Sequence, residues 1–209
     1  LPAAAFAQGA AGGVLTTAWT GPYGGVPAFD KVKVADFKPA YELAMKAERT
    51  EIDAIANNAA APDFENTIAA LERSGAMIER VGMYDNVWAS TLSTPEFRAI
   101  EQEMAPKLSA HEDETLQNEK LFKRIEAVYE NRSGLTAEQQ RLTWLYWNRF
   151  VRAGAKLSPE AKKRVAAINQ ELAGLFTQFS QNLLADETDY VLYLRTESEL
   201  KGLPGDVRA

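Results

Sequence analysis

The chain contains one histidine and no cysteine, so any metal or nucleophile chemistry of its own has to be built around His111. The run His111-Glu112-Asp113-Glu114-Thr115 combines an imidazole with carboxylates, the side chains that hold zinc or activate water. In an H-E-x-x-H helix, two imidazoles one turn apart face the same ion and the glutamate acts as general base. Thr115 stands where the second imidazole is needed, so that signature fails. A carboxylate-bridged two-metal bundle places a glutamate three residues before its histidine, and Leu108 occupies that position. The run is therefore expected to be a solvated acidic helix surface.

Other chemistries are excluded in the same way. Without cysteine there is no disulfide, thiolate zinc site or cysteine nucleophile. No G-x-S-x-G elbow, S-x-x-K or G-x-G-x-x-G pattern occurs, and Gly21 to Gly25 lacks the G-K-[ST] that would complete a phosphate-binding loop. Asn131-Arg132-Ser133 is formally a glycosylation sequon. The aromatic cluster from Trp144 to Phe150 could stack on a ligand, but in a chain with 29 acidic against 23 basic residues and a net charge of −6, internal packing is the expected use. The same charge balance offers no electrostatic footprint for a nucleic acid or an anionic membrane, and no apolar run reaches the roughly 18 residues of a membrane span. No residue of this chain is expected to be catalytic, to bind a cofactor or to hold a metal.

The elements that would have positioned such residues read as an all-α, multi-helix domain. With 46% hydrophobic residues over 209 positions, the chain can build one sizeable core or two small ones. Asp36 is read as the cap of a first helix running to about Asn57, with Phe37, Tyr41, Ala44, Met45, Ile52 and Ile55 inside. A second starts at Asn66 or Thr67 and carries Ile68, Leu71, Ile78, Val81, Trp88 and Leu92, with Asp85 as its polar interruption. Gly75 and Gly82 suggest close contact or a bend. Thr94-Pro95-Glu96 starts a third through Phe97, Ile100, Met104 and Leu108, with a kink expected at Pro106. Asn118 caps a fourth that buries Leu121, Phe122, Ile125, Val128 and Tyr129. Thr136 and Gln139 form a capping box for a fifth, apolar on two sides: Leu142, Leu145, Tyr146 and Phe150 on one, Trp144, Trp147 and Val151 on the other.

The joint FVRAGAKLS leads into the longest amphipathic pattern. Ser158 and Pro159 open it, and Val165, Ile168, Leu172, Leu175, Phe176, Phe179 and Leu183 form one stripe. This helix is expected to be the central core helix, its stripe buried by the rest of the chain. Asp189 to Arg195 is the one β-like run, with no partner strand in the sequence. A short helix closing at Gly202 and another beginning at Pro204 follow.

Four regions result. Residues 1–19 read as a signal-peptide remnant, with Ala5-Phe6-Ala7 as an A-x-A cleavage pattern, followed by a flexible leader. Residues 20–35 are an extended arm, 36–186 the helical body, and 187–209 the start of a following segment, as in a piece of a longer protein. Export, to a periplasm for instance, is the expected location, with the cytoplasm as the alternative.

Three blocks, VPAFDKVKVADFKPAYE, APDFENTIAALERSG and RFVRAGAKLS, in this order and at these separations, resemble the N-terminal region of the dipeptidyl carboxypeptidases, zinc metallopeptidases similar to thimet oligopeptidase and oligopeptidase A. The resemblance extends from about Tyr23 to Ala209. It implies an elongated helical half facing a second half across a channel that admits short peptides, from whose C-termini dipeptides are released. It also implies a zinc held by H-E-x-x-H and a downstream glutamate. None of those positions has a counterpart here, so the resemblance implies an inactive channel wall that lacks its catalytic half, prone to self-association through Trp144 and Trp147 or the Tyr190 to Leu194 run. A free-standing helical binding or scaffold protein is the alternative. No metal is expected on this chain; zinc belongs to the longer parent.

Overall fold

A computed structural model describes residues 13–23 and 25–208 of the chain. The Ala5-Phe6-Ala7 pattern lies outside the described residues.

The fold is all-α. It begins with a single turn, α1 (Gly13–Thr16), whose Leu15 is fully buried and whose Thr16 carbonyl accepts from Arg80 Nη1 at 3.1 Å. Trp19 then sets its ring edge-on to Tyr84 at 5.9 Å. Residues 13–19 are thus part of the fold, not a flexible leader, because one leucine and one aromatic find a pocket beside Tyr84. The arm that follows turns back through an antiparallel bridge between Thr20 and Val26 and is tied down where Ala28 N–H donates to Tyr84 Oη at 2.9 Å.

Helix α2 (Phe37–Ala56) buries Phe37, Ala40, Tyr41, Ala44, Met45, Ile52, Ile55 and Ala56, as its periodicity predicts. Asp36 sits at the predicted cap position, but its carboxylate accepts the Lys33 N–H at 3.2 Å and does not cap the helix. The predicted second helix is split in two. Asp63 and Asn66 form a reciprocal capping box that opens a π-helical stretch, Phe64–Ile68, continuing into α3 (Ala69–Glu72). The chain then turns at Gly75, whose φ of 74° favours glycine, and resumes as α4 (Ala76–Thr91). Gly82 meets nothing within 4 Å of an added Cβ, so it reflects no close helix approach. Leu92 is exposed, while Tyr84, outside the predicted core, is fully buried.

Helix α5 (Pro95–Leu116) starts at Thr94, whose hydroxyl accepts from Phe97 N–H, and runs through Pro106 to Leu116. Helix α6 (Glu119–Glu130) is capped by Asn118 and buries Leu121, Phe122, Ile125 and Val128. Helix α7 (Ala137–Arg152) has both bonds of the Thr136 and Gln139 box. On α7 the two predicted sides divide differently: Phe150 and Thr143 are buried, Trp147 stacks on Tyr129 of α6 at 4.2 Å, and Leu145 is exposed.

Two buried clusters result. One gathers Phe37 to Met45 of α2 with Val81, Tyr84, Phe97, Met104 and Leu15; the other gathers Ile52 to Ala56 with Ile68, Leu71, Leu116, the α6 residues and Phe150. Helices α2 and α5 contribute to both and so couple them.

At the FVRAGAKLS joint, Gly154 adopts φ 98°, with Ala155 N–H bonded to Phe150 C=O and Gly154 N–H to Val151 C=O. This six-to-one and five-to-two pairing caps α7 and reverses the chain into α8 (Pro159–Asp189), which Ser158 caps.

Helix α8 corrects the central expectation. It runs antiparallel along α5 and presents polar and small residues to it: Lys162 near Gln117 and Glu119, Asn169 bonded to Asp113 Oδ1 at 2.7 Å, and Gln181 bonded to the Arg98 carbonyl at 3.0 Å and to Gln102 at 2.7 Å. The apolar stripe faces away. Ile168, Leu172, Leu175, Phe176, Phe179 and Leu183 are exposed, Phe176 and Phe179 by 65% and 66%. At 100° per residue the stripe is centred about 130° from the side that touches α5. Periodicity locates an apolar stripe but not what covers it, and these six are left uncovered by the described residues. Asp189 ends α8, and Tyr190 to Leu194 form no strand; with no edge among the described residues to pair with, the β-like alternation stays exposed. The tail then turns at Thr196 to Leu203 and makes a 3₁₀ turn at Gly205–Val207 after Pro204.

Candidate functional site

The sequence leaves His111 on a solvated acidic surface, and the structure moves it inside. His111 is 4% exposed and Asp113 7%; the alternate residues Glu112 and Glu114 point outward and pair with Arg149 at 2.9 Å and Arg49 at 2.8 Å. An acidic run on a helix changes environment every residue or two because successive side chains are turned by about 100°. Two of these five residues therefore reach the interior.

His111 Nε2 lies 2.7 Å from Glu48 Oε2 on α2, while Nδ1 is buried without a partner. The pair lines a cavity of about 310 Å³ between α2, the α3–α4 turn, α5 and α7, into which Ser74, Tyr146 and Arg149 also face. The α3–α4 turn closes one side because Gly75 N–H donates to Glu51 Oε2 at 2.8 Å. A Cβ at Gly75 would stand 2.8 Å from Glu48 Oε1, so glycine there allows the turn to approach the carboxylate that holds His111. Across the cavity, the Tyr146 hydroxyl donates to Glu72 at 2.7 Å. Burial first, and then Glu72, raise its pKa well above the ordinary phenol value.

A carboxylate on one imidazole nitrogen resembles the orienting half of an acid–base relay, yet the other half is missing. Ser74 Oγ donates to the Leu71 carbonyl at 2.8 Å, and among the described residues no nucleophile bonds to His111. Nor do the residues fit the zinc that the resemblance implies: among the described residues no three His, Cys, Asp or Glu side chains converge. What the geometry supplies is a rigid tie between α2 and α5, beside a small polar-rimmed cavity.

A second polar cluster joins the same two helices to α4. Burial, and then the charge of Glu101, push the Asp85 carboxyl up to about 7, partly offset by a hydrogen bond from the Tyr41 hydroxyl. Glu101 is itself raised by burial, against the opposing hydrogen bond from Gln181 of α8. A third cluster was hidden in the sequence. Arg124 of α6, 7% exposed, donates to the carbonyls of Asn58 and Ala60 at 2.8 and 3.0 Å and to Asn66 Oδ1 at 2.6 Å. It clamps the segment that enters the π-helical stretch, and no signal besides its place on the apolar side of α6 points to it. Among the described residues no helix is long and apolar enough to cross a membrane.

No family model matches the chain. It is 38% identical over 161 residues to the dipeptidyl carboxypeptidase of Salmonella typhimurium, covering 76% of this chain and 24% of that protein. Against the Escherichia coli protein of the same name the identity is 35% over 179 residues, 85% of this chain and 26% of the relative. A probable cytosolic oligopeptidase A of Arabidopsis thaliana is 24% identical over 184 residues, with 85% and 26% covered. The chain spans about a quarter of the length of the curated relatives it matches.

Proposed function

The chain belongs to the family of the dipeptidyl carboxypeptidases and oligopeptidases A, and on that premise we propose that it is the N-terminal helical part of a zinc-dependent peptidyl-dipeptidase. In this reading it forms one wall of the channel that admits short peptides and is inactive by itself. The observation that carries the reading is the 35–38% identity to proteins named dipeptidyl carboxypeptidase, combined with a match to only about a quarter of their length. The site chemistry agrees with it: the chain's single imidazole is committed to Glu48 inside the fold, so a zinc-bound water would have to be held and deprotonated by residues of the larger remainder. Export is part of the proposal and rests on the Ala5-Phe6-Ala7 pattern alone.

The test is a chimera in which this chain replaces the aligned segment of the Salmonella typhimurium enzyme, assayed for release of C-terminal dipeptides from a short N-blocked peptide. The chain alone should give no hydrolysis and the chimera should give the dipeptide. Hydrolysis by the chain alone, or a folded chimera without activity, would contradict the proposal.

A further inference from the structure

The six large side chains exposed on α8 form an apolar face that the described residues leave uncovered. We infer that this stripe is the seat on which the remaining three quarters of a relative-length polypeptide docks, through a complementary apolar helical face; the inference rests on the reading of the chain as one part of such a peptidase.

Three observations support it. First, no charged residue occurs between Glu171 and Asp186, although one side of α8 over that whole stretch is open to solvent. A surface helix ordinarily turns charged or polar residues to water and its apolar stripe to a partner surface. Second, the side of α8 that is covered is satisfied: Asn169 and Gln181 make specific bonds to α5, so the helix has no reason to roll and hide its stripe. Third, Tyr190, Val191, Leu192 and Tyr193, just beyond the helix, are each more than half exposed as well. Large side chains exposed together along one face mark interfaces, and strongly apolar interfaces mark permanent rather than transient partners. The relatives supply a permanent partner in the same polypeptide, since about three quarters of their length lies beyond the match.

The chimera described above also tests this inference. It is prepared with the stripe intact and as Phe176→Glu with Phe179→Glu, and its thermal unfolding and sedimentation are compared with those of the isolated chain carrying the same pair. The intact chimera should be monomeric and unfold in one transition. The charged chimera should lose that single transition, splitting into two or shifting down by several degrees, while the isolated chain, at a concentration where it is monomeric, keeps its midpoint because the two rings are already exposed there. An unchanged transition in the charged chimera would overturn the inference and leave the functional reading standing. A chimera that is dimeric until the two charges are introduced would also overturn it, by assigning the stripe to a second copy. Two independent transitions in the intact chimera would instead show that this chain does not substitute for the relative's segment, which sinks the functional reading itself.

Discussion

Asp85 holds its proton to about pH 7 in the folded chain, from an ordinary value of 3.8. Between those two values the folded state binds a proton that the unfolded state releases, so stability falls as pH rises through that window and levels off above it. Asp85→Asn should therefore raise stability at pH 8 by on the order of 1 to 2 kcal/mol, leave it nearly unchanged at pH 4, and flatten the slope between. Urea midpoints for both proteins across that range check this, and an undiminished slope in the variant would assign the titration elsewhere. Arg124 makes the opposite kind of contribution, since it donates to two backbone carbonyls and to the Asn66 amide oxygen, which the Thr67 hydroxyl also reaches. Arg124→Met should cost about 2 to 4 kcal/mol, read as a lower urea midpoint; a loss below about 0.5 kcal/mol would mean that water replaces the clamp. Neither role was legible in advance. A one-dimensional pattern shows that Asp85 interrupts an apolar face, but not that Glu101 of another helix lies close to it.

At the scale of the element, the sequence reads best where the physics is local. Thr94, Asn118, Thr136 and Ser158 all accept the N–H that their position promises, because a cap is decided within four residues. The pattern offers Gly75 as a close contact or a bend, and the chain does turn there, but the partners of that turn, Glu51 and Glu48 of α2, lie in no local pattern. The stripe of α8 was located correctly and assigned the wrong environment for the same reason. With the stripe exposed, Leu172→Asp should leave the stability of this chain, measured where it is monomeric, within about 0.5 kcal/mol, whereas Asn169→Ala, which strips the buried Asp113 of its 2.7 Å partner, should cost about 1 to 3 kcal/mol. Thermal unfolding of the two variants side by side decides the matter, and a larger loss in Leu172→Asp would mean that the stripe is buried after all.

For the whole molecule, the described residues leave the apolar face of α8 open. The aromatic residues of α7 are not that face, since Trp147 is stacked under Tyr129 and packed against the second core. When the isolated chain has nothing else to cover the stripe, two copies should cover each other's. The spacing permits it: Ile168, Leu172 and Leu175 stand in mirror order to Leu183, Phe179 and Phe176, so two antiparallel α8 helices would place large side chains opposite large ones in a symmetric pair. Sedimentation velocity of the isolated chain over a hundredfold range of concentration is the most direct measurement. The wild-type chain should shift from monomer toward dimer as concentration rises, and Phe176→Glu with Phe179→Glu should remain monomeric throughout. A wild-type chain that stays monomeric at every concentration, or a charged variant that associates equally well, would contradict the claim.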